Sequence, residues 1–179
     1  MSVKVLEEKT IHRQGNIDFV VQQIELPNSN GKVIQKIVMR HPGAVAMIPL
    51  TDDGDVILVD QYRFAAAQNT LEIPAGTLEP GEDPIVCAQR ELQEEAGYFP
   101  GELVHLGEIF VAPGITDERI QLYLARDLHS SHLPADEDEM IQVVRMPFSE
   151  AITQIQSGKI RDAKTIIGLL QAQQHLAGN

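Results

Sequence analysis

Residues 76–98 read GTLEPGEDPIVCAQRELQEEAGY, a glycine-containing loop followed by a segment rich in glutamate. Its second half, residues 84–96, has the periodicity of a helix and is followed by glycine, the residue type preferred just after a helix. On such a helix Glu91, Glu94 and Glu95 occupy an arc of about 100°. The apolar residues fall on another side of the helix: Ile85, Ala88, Leu92 and Ala96. The stretch therefore predicts an amphipathic helix that carries three clustered carboxylates.

Such a cluster suits a cation, because Glu91 and Glu95 form an i,i+4 pair of like charge that slightly destabilises an isolated helix. Oxygen ligands favour Mg²⁺ or Mn²⁺ over zinc. A solvated acidic face is the alternative, and most charge runs are of that kind. Arg90 favours the metal site, because a guanidinium can orient carboxylates. The glycine-containing loop before the helix also favours it, since glycine lets the backbone approach a ligand closely.

The stretch is similar to the Nudix box: a glycine, five residues, Glu, seven residues, then Arg-Glu-aliphatic-x-Glu-Glu-x-Gly-aliphatic. Eight residues stand in their places at the required spacing: Gly76, Glu82, Arg90, Glu91, Leu92, Glu94, Glu95 and Gly97. Tyr98 departs from the pattern, because the family normally has Ile, Leu or Val at this apolar packing position. By this resemblance the chain is identified as a member of the Nudix hydrolases, which hydrolyse a nucleoside diphosphate linked to another moiety.

The resemblance implies roles for residues in and beside the box. The metal ligands would be the carboxylates of Glu91 and Glu95 and the carbonyl of Ala75, and Glu94 would be a further ligand or would hydrogen-bond to one. Glu82 and Arg90 would orient these groups, and Glu94 and Arg90 are expected to act in catalysis. Mg²⁺ is the expected cofactor, with Mn²⁺ as a substitute.

The general base is expected in an acidic loop outside the box. Residues 133–139 read LPADEDE and resemble the acidic loop of ADP-ribose pyrophosphatases, in which Glu137 would match the catalytic glutamate. Glu139 is the near rival, with metal binding as its other role. A solvated loop without a catalytic role is the alternative. Glu118 is a third candidate and is better suited to contact a substrate hydroxyl.

Two segments outside the box indicate the substrate class. Pro113 lies about fifteen residues after the box, where sugar pyrophosphatases of this family typically have a proline, and Gly114 and Glu118 continue a similar segment. A plain turn is the alternative, because Pro-Gly is a common turn signal. The segment QYR ending at Arg63 resembles the subfamily's Gln-x-Arg, and the resemblance implies that Arg63 contacts the substrate's phosphates as a bidentate donor. The expected substrates are nucleoside diphosphate sugars, with ADP-ribose first, cleaved to AMP and ribose 5-phosphate; other sugars such as those of GDP-mannose or ADP-glucose stay open.

The order of the predicted elements indicates the fold class. Strands are predicted as two hairpins and three further segments: 17–26 with 32–40, 44–50 with 55–62, then 103–111, 120–125 and 141–146. Helices are predicted from the N-caps Ser149 and Asp162. This order favours a mixed α+β sandwich over a doubly wound parallel sheet. The resemblance implies a Nudix α/β/α sandwich with a mixed central sheet.

Residues 1–40 are interpreted as an N-terminal antiparallel β-extension, and residues 41–179 as the Nudix hydrolase domain. In similar ADP-ribose enzymes such strands pair with a second subunit, and each active site borrows residues from its neighbour. The resemblance therefore implies a homodimer.

The composition limits the partners and the location. There are 26 acidic and 14 basic residues, a net charge of −12, and no Lys/Arg cluster, so nucleic acid is not an expected partner. The same charge calls for a cation beside any phosphate-bearing substrate. No signal-peptide pattern opens the chain, no apolar run reaches the ~20 residues of a membrane span, and Cys87 is the only cysteine. We therefore expect a soluble, cytoplasmic protein.

Two other functions stay open at this point. One is a Nudix hydrolase for dinucleoside polyphosphates, nucleoside triphosphates or RNA 5′ ends, against which Pro113 and the N-terminal strands argue. The other is a non-catalytic nucleotide-sugar sensor. Such sensors often lose box carboxylates, whereas this chain has the full set.

Overall fold

The structure is a computed structural model that describes residues 3–134 and 140–178. Within these residues the strands are β1 (Lys4–Gln14), β2 (Ile17–Glu25), β3 (Val33–Arg40), β4 (Ala44–Pro49), β5 (Asp55–Arg63), β6 (Gln68–Glu72), β7 (Ala75–Thr77), β8 (Tyr98–Phe110), β9 (Arg119–Ser130) and β10 (Ile141–Pro147). The helices are α1 (Pro84–Glu91), α2 (Phe148–Gln156) and α3 (Ala163–Gly178), and a π-helical turn (Leu92–Ala96) continues α1.

The first compact unit comprises the residues up to Gly43 together with Phe110–Arg119. It holds an antiparallel sheet in the order β1-β2-β3. The hairpin of β2 and β3 confirms the sequence prediction. The sequence did not predict β1, because every one of its residues is exposed and no buried face imposes an alternating pattern.

The second unit comprises Ala44–Ile109 and the chain from Ile120 onward, and it contains two sheets. One sheet has the order β7-β4-β9-β8, and the other has the order β10-β5-β6. β4 pairs parallel with β9 and antiparallel with β7, so the four-stranded sheet is mixed. This arrangement confirms the predicted fold class.

Two hydrophobic clusters cover opposite faces of β4, and its six residues are all buried. Val45 and Met47 belong to a cluster shared with α1 and the π-helical turn, whereas Ala46 and Ile48 belong to a cluster shared with α2 and α3. Burial on both faces explains why this segment reads as a continuous apolar run. The sheets therefore lie between helical layers, as in an α/β/α sandwich.

The second predicted hairpin is wrong. β4 and β5 enter different sheets, and within the described residues they are connected by a single antiparallel bridge between Leu50 and Val56. The Thr51–Asp55 turn forms, with the amide of Thr51 donating to the carbonyl of Asp55. β4 and β5 are both buried on both faces, and each pairs with strands of its own sheet. The turn therefore connects one sheet to the other.

Of the two helix starts predicted at Ser149 and Asp162, the structure confirms the second. Ser149 is not an N-cap, because α2 begins at Phe148 after Pro147 and has no capping side chain among the described residues. Asp162 does cap α3: its carboxylate accepts a hydrogen bond from the amide of Thr165 at 3.0 Å. Across the described part of the chain, no helix combines the length and apolar character needed to cross a bilayer.

Candidate active site

The box helix α1 is held at its start by Asp83, whose carboxylate accepts a hydrogen bond from the amide of Ile85 at 2.8 Å. Its packed side consists of residues that are fully buried: Cys87, Ala88 and Leu92. Ile85, predicted on that side, lies in the first turn of the helix and is instead 48% exposed.

A π-helical turn ends the box helix, which the sequence did not predict. Gly97 has a φ of 78°, and its amide donates to the carbonyl of Leu92, five residues earlier. The glycine confirms the predicted C-cap position, since a left-handed φ strains other residues. π-Helical turns are often found at functional sites. Here the turn contains Glu94 and Glu95.

Arg90 is the centre of the carboxylate cluster. Its guanidinium donates through Nε to Glu82 at 3.0 Å, and through one terminal nitrogen to Glu91 at 2.7 Å and Glu94 at 2.9 Å. The second terminal nitrogen contacts Glu82 at 3.1 Å and the sulfur of Cys87 at 3.4 Å. One cation therefore contacts three box carboxylates, which is the geometry that the predicted orienting role of Arg90 requires.

Glu82 is tied both to Arg90 and to its own loop. The amide of Glu79 donates to the Glu82 carboxylate at 3.0 Å. Hydrogen bonds from Arg90 lower the pKa of Glu82 to about 2, so this carboxylate stays charged near neutral pH. The same pairing raises the pKa of Arg90. Burial raises the pKa of the Cys87 thiol, which makes Cys87 a packing residue beneath the cluster and not a nucleophile.

Gly76 leaves the space that Glu91 occupies. A Cβ built on Gly76 would lie 1.8 Å from Cδ of Glu91 and 1.9 Å from its Oε1. No side chain larger than hydrogen fits there while Glu91 keeps its position. The glycine is thus required by a close approach between the β7 backbone and a box carboxylate.

Glu95 is held by the backbone of the same strand. The amide of Ala75 donates to Oε2 of Glu95 at 2.8 Å, and Glu95 is 5% exposed. Glu91 and Glu95 therefore both meet β7, one through Gly76 and the other through Ala75. This arrangement brings two of the predicted box ligands, Glu91 and Glu95, to the strand that holds Ala75, whose carbonyl was predicted to join them.

The chemistry of this cluster fits a hard divalent cation. Its donors are carboxylate oxygens held beside a backbone strand, which is the ligand type that Mg²⁺ and Mn²⁺ prefer. In the described part of the chain, no set of three His, Cys, Asp or Glu side chains is arranged as a metal cage. Instead Glu91 and Glu94 share one guanidinium nitrogen, and Glu95 faces the Ala75 amide. Metal binding at these groups requires carboxylate oxygens to exchange some of these contacts.

Arg63 stands in an ion pair that the sequence did not indicate. Its Nε and one terminal nitrogen donate to the two oxygens of Glu72, at 2.8 and 2.6 Å. Glu72 is 2% exposed and also accepts hydrogen bonds from Thr70 and Lys164. Burial by itself would raise the pKa of Glu72, but Arg63 and Lys164 outweigh it and hold the pKa at about 2.

The segment with Pro113, Gly114 and Glu118 belongs to the first compact unit. Amides of residues 115 and 116 both donate to the carbonyl of Ala112, which closes a turn over the Pro-Gly pair. Glu118 lies 3.9 Å from Nε2 of His41. The segment forms a turn, and its role in substrate binding stays a prediction.

Glu137 and Glu139 lie outside the described residues, so the choice between them stays a prediction. Glu72, Thr70 and Lys164 are the charged and polar groups that sequence reasoning missed. A glutamate directly before the buried Ile73 was the available signal, because a charge in an apolar run needs a partner.

Residues 39–167 match the NUDIX domain. The chain belongs to the Nudix family. It is 39% identical over 170 residues to the ADP-ribose pyrophosphatase of Bacillus subtilis (strain 168), with 91% of each chain covered. It is 40% identical over 182 residues to the methanol dehydrogenase activator of Bacillus methanolicus, with 97% of each covered.

A solved structure supports the same assignment. The crystal structure of an ADP compounds hydrolase superposes with a TM-score of 0.87 at 26% identity, and the match covers 99% of this chain and 96% of that one. This Nudix pyrophosphohydrolase therefore shares its fold over nearly the whole chain, including the N-terminal strands that lie before residue 39.

Proposed function

We propose that the protein hydrolyses the pyrophosphate bond of nucleoside diphosphate sugars, with ADP-ribose as its main substrate and AMP and ribose 5-phosphate as products. The observation that carries the proposal is the complete set of box carboxylates gathered around Arg90 and β7. The substrate rests on the 39% identity to an ADP-ribose pyrophosphatase over 91% of the chain.

Mg²⁺ is the proposed cofactor, with Mn²⁺ as a substitute. The residues proposed to hold it are the box carboxylates and one carbonyl: Ala75, Glu91, Glu94 and Glu95. When bound, the metal would neutralise the diphosphate and lower the pKa of the attacking water. Arg90 would keep Glu91 and Glu94 from separating while the site is empty of cation, because one guanidinium offsets two negative charges.

The remaining steps need groups outside the box. Glu137 is the proposed general base that accepts the proton of the attacking water, and Glu139 is its alternative. Arg63 is proposed to contact the diphosphate, because a guanidinium donates two parallel hydrogen bonds to a phosphate. Pro113, Gly114 and Glu118 are proposed to line the sugar side of the substrate, as in the subfamily that their segment resembles.

A homodimer assembled through residues 1–40 is also proposed. The three-stranded sheet of the first unit exposes apolar side chains to solvent: Val5, Leu6, Ile11, Val33 and Ile37. A group of exposed apolar residues is typical of a protein interface. A cytoplasmic location completes the proposal, in line with the expectation from the sequence.

The test is phosphate release from a panel of nucleoside diphosphate sugars, with a phosphatase present to convert the monoester products. Each sugar is assayed with Mg²⁺, with Mn²⁺ and with EDTA. Metal-dependent turnover that is fastest on ADP-ribose supports the proposal. Equal rates on several sugars would instead make the enzyme a general sugar pyrophosphatase. Turnover of polyphosphates, with none of any nucleoside diphosphate sugar, would refute the proposed substrate class.

A second candidate function comes from the relative that is a methanol dehydrogenase activator, 40% identical over 97% of the chain. The candidate is an effect on a dehydrogenase partner. It is tested by adding the protein or its Glu95→Gln variant to a methanol dehydrogenase assay. Activation by the wild type alone would assign the effect to hydrolysis, and activation by both would assign it to binding.

A further inference from the structure

The carboxylate of Glu72 contacts two cationic side chains, although one of them would offset its single negative charge. Arg63 contacts both of its oxygens, Lys164 contacts Oε2, and Thr70 contacts Oε1. With an exposure of 2%, Glu72 has almost no access to water. A buried carboxylate must keep a charged partner, and removing its last one is strongly unfavourable.

The two cationic side chains that contact Glu72 differ in their exposure to solvent. The Arg63 side chain is 42% exposed, whereas that of Lys164 is 11% exposed. An anion arriving from solvent can therefore reach Arg63 more readily than Lys164.

Lys164 is also anchored from its other side. Its Nζ donates to Asp162 at 3.0 Å, and Asp162 accepts from the amide and hydroxyl of Thr165 at 3.0 and 2.6 Å. The Thr165 hydroxyl in turn accepts from the amide of Ile73 at 2.9 Å. The first turn of α3 thus fixes Lys164 against the residue next to Glu72.

We propose that Lys164 is a positioning residue that keeps Glu72 compensated when Arg63 turns from Glu72 to the diphosphate of the substrate. Without Lys164, a departing Arg63 would leave Glu72 with the Thr70 hydroxyl as its remaining contact of those described above. Arg63 would then stay on Glu72, and the substrate would lose one of its phosphate contacts. The proposal rests on the role of Arg63 given under the proposed function.

The test measures KM and kcat for ADP-ribose in a double-mutant cycle of Arg63→Ala and Lys164→Met. Lys164→Met alone should raise KM about tenfold or more and change kcat less than about threefold, because ground-state and transition-state binding are lost together. In the Arg63→Ala background it should raise KM little further, because no guanidinium is left to release, whereas the uncompensated Glu72 should lower the thermal stability of this double variant. Lys164→Arg keeps the charge and should restore KM to near the wild-type value.

Two controls separate positioning from a general loss of structure. Lys159→Met makes the same change at an exposed lysine and should alter neither constant. Binding of α,β-methylene ADP-ribose with Mg²⁺, followed by calorimetry, should weaken in Lys164→Met by the same factor as KM rises. If Lys164→Met does not fold, Lys164→Gln takes its place, and the same rise in KM is expected.

The outcomes distinguish this proposal from the proposed function. An unchanged KM in Arg63→Ala would remove Arg63 from the phosphate site and would overturn the role of Lys164 with it, whereas metal-dependent turnover of ADP-ribose would still support the proposed function. A raised KM in Arg63→Ala with an unchanged KM in Lys164→Met or Lys164→Gln would overturn the role of Lys164 alone. An equal loss from Lys164→Met in both backgrounds, seen mainly in kcat, would make Lys164 a structural residue and would also overturn the proposal.

Discussion

Replacing Gly76 with alanine tests the link between the backbone of β7 and the chemistry of the box. The added Cβ would lie 1.8 Å from Cδ of Glu91, and ordinary contact begins at about 3.4 Å. The carboxylate must therefore move by about 1.6 Å. Because the obstructing atoms are at the end of a flexible side chain, we expect the side chain to shift and the strand to stay in place.

Displacement of the Glu91 carboxylate should lower the activity much more than it lowers the stability of the fold. A misplacement of about 1 Å can lower catalysis about 10²-fold, so kcat/KM should fall by at least that factor, or about 2.7 kcal/mol. Overpacking costs about 1–3 kcal/mol of stability, and the lower end is expected here. That corresponds to a fall in Tm of about 2–4 °C.

The assay is phosphate release from ADP-ribose over a series of Mg²⁺ concentrations, together with thermal unfolding followed by circular dichroism. The half-saturating Mg²⁺ concentration should rise in Gly76→Ala, because Glu91 is a proposed ligand. Gly178→Ala is the matched control, since nothing lies within 4 Å of the Cβ that it adds. A Gly76→Ala enzyme with wild-type kcat/KM and metal dependence would refute the reasoning.

Three further predictions concern single carboxylates. Glu95→Gln should lower kcat about 10³-fold or more with the fold intact, because a proposed metal ligand loses its charge, and the phosphate-release assay measures this. Glu137→Gln should lower kcat more than it raises KM, and the same kinetics on Glu139→Gln compare the two glutamates. The folded-state pKa of Glu72, about 2, lies below its ordinary value of 4.5. Its contribution to stability is therefore complete above the ordinary value and lost as pH falls through the folded value, so urea unfolding should show a steeper loss on acidification in the wild type than in Glu72→Gln.

Each of these predictions has a contradicting result. Near-normal turnover in Glu95→Gln would exclude it as a metal ligand. A much larger loss in Glu139→Gln than in Glu137→Gln would reverse the choice of general base. Parallel stability curves for the wild type and Glu72→Gln would mean that the Glu72 pKa is the same in the folded and unfolded states.

The sequence by itself determined the features that depend on neighbours along the chain. The helix at residues 84–96, its glycine cap and the spacing of Glu91, Glu94 and Glu95 all follow from a period of 3.6 residues. The same local spacing also identified the family, because the box is a pattern within a single loop and helix. The hairpin of β2 and β3 was predicted for a similar reason, since its turn residues lie between two alternating segments.

Tertiary structure decided the features that join distant segments. The turn at Thr51–Asp55 was predicted correctly from the sequence. The pairing of β4 and β5 with strands of different sheets was not, because it depends on how the two buried sheets pack. The contact between Ala75 and Glu95 spans 20 residues, and the contact between Glu72 and Lys164 spans 92. Local periodicity carries no information about such pairs, because a side chain's partner across the core depends on where the other strand or helix is placed.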